Sequence, residues 1–255
     1  MSKTNPKVAQ LVKAFSKKST PGAFMHLSRK TVASQLTARA ATPHLINQGN
    51  AGLCPSAAVV YGIARTRPAE YVRAVTELFD KGKTKIGRWT LEPDPDLKSY
   101  KPPKGAVAEA DWIILASIRD SENWFIDYQA VSDNGGAWGK EVAKWLKKAG
   151  YTKLQEDWNY VMNKTSANLR KASELHAKNY HVCLLIDTDI LKGETSILSR
   201  PNHWVVLASN ITATAADKPV SMKVYTYGTL RNMPKSTMKL DDFIDYYYGY
   251  VAAKY

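Results

Sequence analysis

The sequence predicts an α+β fold on three observations. Helical periods fill most of the first 180 residues, short apolar or β-branched runs replace them from His181 onward, and polar turn-forming segments separate those runs. Helices first and strands afterwards point to segregated layers rather than an alternating parallel sheet. With 255 residues, 44% of them hydrophobic, the chain is long enough for one large core.

Each element follows from local chemistry. Asn5 can cap and Pro6 suits a first turn, while Val8, Leu11, Val12 and Phe15 share one face, so residues 5 to 15 read as an amphipathic helix. A weaker helical stretch carries Leu27, Val32 and Leu36 before Thr42-Pro43 breaks the chain. Residues 69 to 81 place Tyr71, Val72, Val75, Leu78 and Phe79 together, with Gly82 as the stop. The proline-punctuated stretch from 92 to 105 reads as a loop. "EADWIILASIRDSEN", "GKEVAKWLKKAGY" and "SANLRKASELHAKNY" read as helices, the second burying Val142, Trp145, Leu146 and Ala149. "HVCLLIDTDI", "HWVVLASNIT" and "SMKVYTYG" read as strands of a mostly antiparallel sheet, and the closing residues as a short helix followed by a last strand.

Composition excludes several functions. No run of about 18 apolar residues is present, so no membrane-spanning helix is expected. The cationic N-terminus lacks the uninterrupted apolar segment of a secretory signal. Two cysteines cannot make a disulfide scaffold, which points to synthesis in a reducing compartment. Ten Lys and Arg residues precede the first acidic residue, Glu70, and carry most of the net charge of +13. That asymmetry fits a solvated surface or a cationic face for an acidic partner. The region's few aromatics, Phe15, Phe24 and Tyr61, argue against a nucleic-acid stacking platform.

Familiar motifs fail in turn. "GGAWGKE" has the wrong glycine spacing for a phosphate loop, and no G-x-S-x-G or H-x-x-x-H occurs. No cysteine pair stands at zinc spacing, so neither a metal nor a cofactor is expected.

Cys54 remains. Pro55 belongs at a first helical position, and Ser56 to Ala64 continue a helix of small and apolar residues. A thiol at a helix N-terminus meets unpaired N–H groups and a partial positive charge that favour the thiolate. Gln48, across a loop carrying Gly49 and Gly52, can fold back so that its amide and the Cys54 N–H form two oxyanion donors. A buried cysteine is also often only a small hydrophobe.

"NQGNAGLC" resembles the Gln-Gly-x-x-Gly-x-Cys stretch of the papain-like cysteine peptidases, with Asn47, Gln48, Gly49, Gly52 and Cys54 matching in order and spacing. The resemblance implies that Cys54 is the nucleophile and Gln48 the oxyanion-hole residue. Pro55 replaces the family's usual aromatic, and Ala51 stands where secreted members carry a disulfide-bonded cysteine. A histidine is then required on a strand roughly 130 to 150 residues downstream. His203 lies 149 positions on and opens the apolar run of "NHWVVLAS". Family members place Asn or Asp on the next strand, two residues before Trp-Gly. Here that strand ends "VYTYGT", which puts Tyr225 at the Asn position and Thr226 beside it. The third member is therefore left open between another polar group and a Cys54–His203 dyad.

The implied protein is a papain-like domain over residues 44–255 behind a basic extension over 1–43. Its nucleophile sits at a helix N-terminus in a helical half packed against the sheet that carries the histidine. The expected activity is proteolysis through a thiolate–imidazolium pair. The middle segment is also similar to bacterial papain-like effector toxins, which implies a protein substrate, an acidic immunity or inhibitor protein, and action in a target-cell cytoplasm after specialised secretion. The rivals are a peptidoglycan amidase, an acyl-transfer enzyme of the transglutaminase kind, and a non-enzymatic basic binding module.

Overall fold

The structure, a computed structural model, describes residues 5–103, 105–122, 139–159, 165–194, 199–213 and 215–255. Most of the rejected glycine-rich stretch at 135–141 lies outside them. The chain is α+β and divides into two compact units, Met1–Gly135 with Lys148–Gly150, and Gly136–Lys147 with Tyr151–Tyr255.

The first unit is helical. It comprises α1 (Pro6–Ser16), α2 (Arg29–Ala41), a 3-10 turn (Pro43–Leu45), α3 (Cys54–Thr66), α4 (Pro68–Lys81), the hairpin β1 (Thr84–Ile86) and β2 (Trp89–Leu91), α5 (Pro95–Ser99) and α6 (Glu109–Glu122). The Asn5 side chain caps α1 by accepting from the Lys7 N–H at 3.0 Å, and Gly82 ends α4 with a φ of 69°. Every residue of α3 from Cys54 to Ala64 is buried, which its small side chains allow. It begins at Cys54, so Pro55 takes the second helical position rather than the first.

Residues 5–43 are part of this packing: Val8, Phe15, Phe24, Val32 and Leu36 are buried, and α1 and α2 lie against α4. Phe15 meets Phe79 edge-on at 5.3 Å, and the Arg29 guanidinium covers both rings. The early positive charge is partly consumed by pairing. Lys18 and Arg29 share Asp80, Arg67 pairs with Glu70, and Arg39 turns inward to Asp111. Lys7, Lys13, Lys17 and Lys30 stay exposed.

The second unit is built on a six-stranded antiparallel sheet in the order β3-β8-β4-β5-β6-β7. Its strands are β3 (Thr152–Trp158), β4 (His181–Ile186), β5 (His203–Leu207), β6 (Met222–Thr226), β7 (Thr229–Met233) and β8 (Tyr247–Lys254). The helices α8 (Ser166–Ala177) and α10 (Leu240–Asp245) pack on it, and the short α9 (Asp189–Lys192) follows β4. Between α6 and β3 runs α7 (Gly139–Lys148), whose Val142, Trp145 and Leu146 are buried as their spacing predicts. Strands β4 and β5 are buried along their whole length because they are central, which explains their continuous apolar sequence.

Several elements go beyond the sequence reading. The loop at 92–105 contains α5, the β1–β2 hairpin lies ahead of it, and β3 and β7 form the two sheet edges. "TKLQEDW" and "TLRNM" lack an apolar pattern because edge strands expose much of their surface.

One buried ion pair ties the first unit together. Arg39 grips Asp111 with Nε to Oδ1 at 2.6 Å and Nη2 to Oδ2 at 2.7 Å, and the Asn47 N–H donates to Oδ2 at 3.0 Å. Asp111 has no exposure. Burial pushes its carboxyl pKa up, while the Arg39 fork and the Asn47 N–H oppose that rise. Removing one partner strands the other charge, so Arg39→Met is expected to cost about 3–5 kcal/mol in urea unfolding. The double variant Arg39→Met/Asp111→Leu should recover most of that loss.

Candidate functional site

The first unit places Cys54 and Gln48 on either side of one loop. Cys54 opens α3 and is 6% exposed; neither it nor Cys183 forms a disulfide. Leu53 at the cap position offers no side-chain acceptor to the first turn, and Pro55 has no N–H. The remaining first-turn N–H groups therefore favour a negative charge at this end of the helix.

The loop that carries Gln48 is fixed at several points. The Asn47 N–H is anchored on Asp111, its side-chain Oδ1 accepts from the Gly49 N–H at 2.9 Å, and the Ala51 N–H donates to the Gln48 carbonyl at 3.3 Å. Gly49 has a φ of 57°, and a Cβ there would stand 2.0 Å from the Ala106 carbonyl oxygen. Glycine is required on both grounds. Gln48 is 4% exposed, and its Oε1 is buried with no hydrogen-bond partner. A half-turn of the amide exchanges that oxygen for the Nε2 donor, the group that an oxyanion needs. Beside this loop lies a cavity of about 430 Å³, bordered by Gln35, Asn47 and residues 105–109.

The second unit delivers His203 as the first residue of β5, opposite Ile186 of β4. Arg200 and Asn202, just before His203, hang on Asp187, which is 3% exposed. Asp187 accepts from the Arg200 N–H at 2.6 Å, the Asp189 N–H at 3.1 Å and the Asn202 side-chain amide at 3.3 Å. Asn202 returns the contact by accepting from the Thr188 N–H at 2.9 Å.

His203 is only 2% exposed, and two neighbours from the β6–β7 turn enclose its ring. Its Nε2 lies 2.6 Å from the Thr226 hydroxyl oxygen. The Tyr227 ring stacks on the imidazole with centroids 4.5 Å apart and planes 5° from parallel, its hydroxyl 3.4 Å from Nδ1. Arg231 lies 6.0 Å from the Tyr227 ring centroid. Tyr227 and Gly228 have φ values of 46° and 73° within a two-residue turn closed by the Thr226–Thr229 pair. Such turns favour Asn or Gly at the first position, and a tyrosine there is strained. Strain of this kind marks a position where the side chain's placement matters.

The sequence reading left the third site position open. The structure sets Thr226 beside His203, whereas Tyr225 pairs with Val206 in the sheet. Its signal was faint: Thr226 is the one short polar side chain in "VYTYG". His176 bonds Asn210 and His181 contacts Cys183, both away from this cluster's residues. Among the described residues, no group of three His, Cys, Asp or Glu side chains could hold a metal ion, and no helix is long and apolar enough to cross a membrane.

Burial pushes the His203 pKa down to about 3, and the positive charge of Arg231 adds to the effect. The neutral imidazole is thus the folded state's form at neutral pH. No protein-family model matches the chain, and neither a curated protein nor a solved structure does.

Two outcomes follow. The unfolded chain takes up the His203 proton near the ordinary pH of 6.5 and the folded chain only near 3, so His203 withdraws stability as pH falls through that window. Its share should reach about 3 kcal/mol at pH 4. Comparing urea unfolding at pH 7 and pH 4, His203→Gln should lose that share of the difference. Gly49→Ala should lower the unfolding free energy measured in urea by about 1–3 kcal/mol, through its unfavourable φ and its clash with Ala106.

Proposed function

We propose that the protein is a cysteine peptidase of the papain-like kind, with Cys54 as nucleophile, His203 as base and Gln48 in the oxyanion hole. The observation that carries this reading is Cys54 at the N-terminus of the buried α3, with the buried Gln48, its Oε1 unpartnered, in the anchored loop ahead of it. His203 at the head of β5, its imidazole held on two sides, supplies the second half of the chemistry. The reading requires the thiol and the imidazole to meet during the reaction.

The low His203 pKa changes the mechanism expected from the resemblance. At rest His203 is a neutral imidazole, so it stands ready as a base rather than as the imidazolium of a thiolate–imidazolium pair. The imidazole takes the Cys54 proton as sulfur attacks the substrate carbonyl, and the oxyanion forms against the Gln48 amide and the Cys54 N–H. The imidazolium then protonates the departing amine. Water, deprotonated by the same imidazole, releases the acyl group from sulfur.

The wider reading is an effector toxin whose substrate is a protein and whose inhibitor is acidic. Its support is the middle segment's similarity to such effectors, together with the exposed Lys7, Lys13, Lys17 and Lys30.

Iodoacetamide alkylation of Cys54 tests the pair, with Cys183→Ser removing the other thiol. The parent should react faster at pH 5–7 than His203→Ala, because the neutral imidazole takes the thiol proton as sulfur attacks the reagent. Cys54→Ala should abolish cleavage of a denatured protein substrate while leaving the unfolding free energy in urea within about 1 kcal/mol of the parent's. An ordinary thiol curve that ignores residue 203 would instead support the binding-module reading.

A further inference from the structure

We infer that Thr226 is the positioning residue that sets the tautomer of His203, accepting the Nε2 proton on its hydroxyl oxygen and leaving Nδ1 as the base. This deepens the peptidase reading above and rests on it.

A neutral imidazole carries one N–H and one lone pair, and the partner of one nitrogen decides the role of the other. Both His203 and Thr226 are 2% exposed, so water does not readily take the place of their 2.6 Å contact. The Tyr227 hydroxyl approaches Nδ1 across a nearly parallel stack, hence from the face of the ring. A hydrogen bond to a ring nitrogen runs in the ring plane, so the Tyr227 hydroxyl is badly placed to fill the Nδ1 lone pair. The in-plane hydrogen bond is therefore the one at Nε2. Thr226 can take a proton there, and its own hydroxyl proton is free to turn elsewhere.

The choice of a hydroxyl has a consequence. A carboxylate at this position would favour the imidazolium, and an amide oxygen would do so less strongly. A threonine oxygen orients the ring with little preference for the charged form. Arg231, behind Tyr227, opposes a positive imidazole as well. The turn thus fixes the ring in two ways: Thr226 sets its tautomer, and the Tyr227 face sets its plane.

The test uses the full chain with Cys183→Ser and ¹⁵N-labelled histidine, its His203 signals assigned by their loss in His203→Gln. At pH 7 the parent should show Nε2 protonated and Nδ1 bare. Thr226→Val should mix the tautomers and lower the His203-dependent part of Cys54 alkylation by about tenfold, the scale of one lost hydrogen bond. Thr226→Ser should restore both readouts to within about threefold. Thr226→Asp should raise the pH at which the His203 signals titrate. A parent protonated on Nδ1 overturns the inference without any variant, and so does a folded Thr226→Val whose tautomer and rate are unchanged. Failure of the peptidase reading looks different: alkylation of the parent would ignore His203→Ala while the tautomer still answered to Thr226.

Discussion

A charge or dipole taken out of water is costly unless it finds a partner, and this constraint shapes both candidate half-sites. Asp111 has no exposure, so it needs the Arg39 fork and a further donor, and that donor is the backbone N–H of Asn47. The residue next in the chain is Gln48. Asp187 repeats the arrangement in the sheet unit, where it takes the Arg200 N–H and the Asn202 amide just before His203. In each unit a buried carboxylate holds the backbone next to a candidate site residue. Placing the anchor on backbone N–H groups fixes the main chain itself, which is stiffer than fixing a neighbouring side chain.

Around His203 the same constraint acts on a neutral group. Burial and Arg231 both disfavour the imidazolium, so the ring is held uncharged between a hydroxyl and an aromatic face. The β6–β7 turn carries a cost for this, because Tyr227 occupies a left-handed conformation better suited to Asn or Gly. A smaller residue would relax the turn and uncover the imidazole. Local strain and site geometry therefore meet in a single residue.

Cys54 illustrates how chain and fold divide the work. Its place at a helix start was legible because Pro55 and the following small residues are local signals. Gly49 and Gly52 were legible as loop residues, and their positive φ values agree. The amphipathic faces of α4 and α7 and the apolar runs of β4 and β5 were likewise written in their periods. The strands β3 and β7 were not, since an edge strand need not bury a face and so carries no pattern.

The sequence by itself determined the α+β class and the elements with capping or periodic signals, because those act between near neighbours, and it offered Cys54, Gln48 and His203 as candidates through the resemblance of two short stretches. Only the tertiary structure decided which groups surround those candidates. Arg39 and Asp111 are 72 positions apart, and His203 and Thr226 are 23 apart. Such pairs form because burial leaves a polar group no water to turn to, and burial belongs to the packed chain rather than to any short stretch of it.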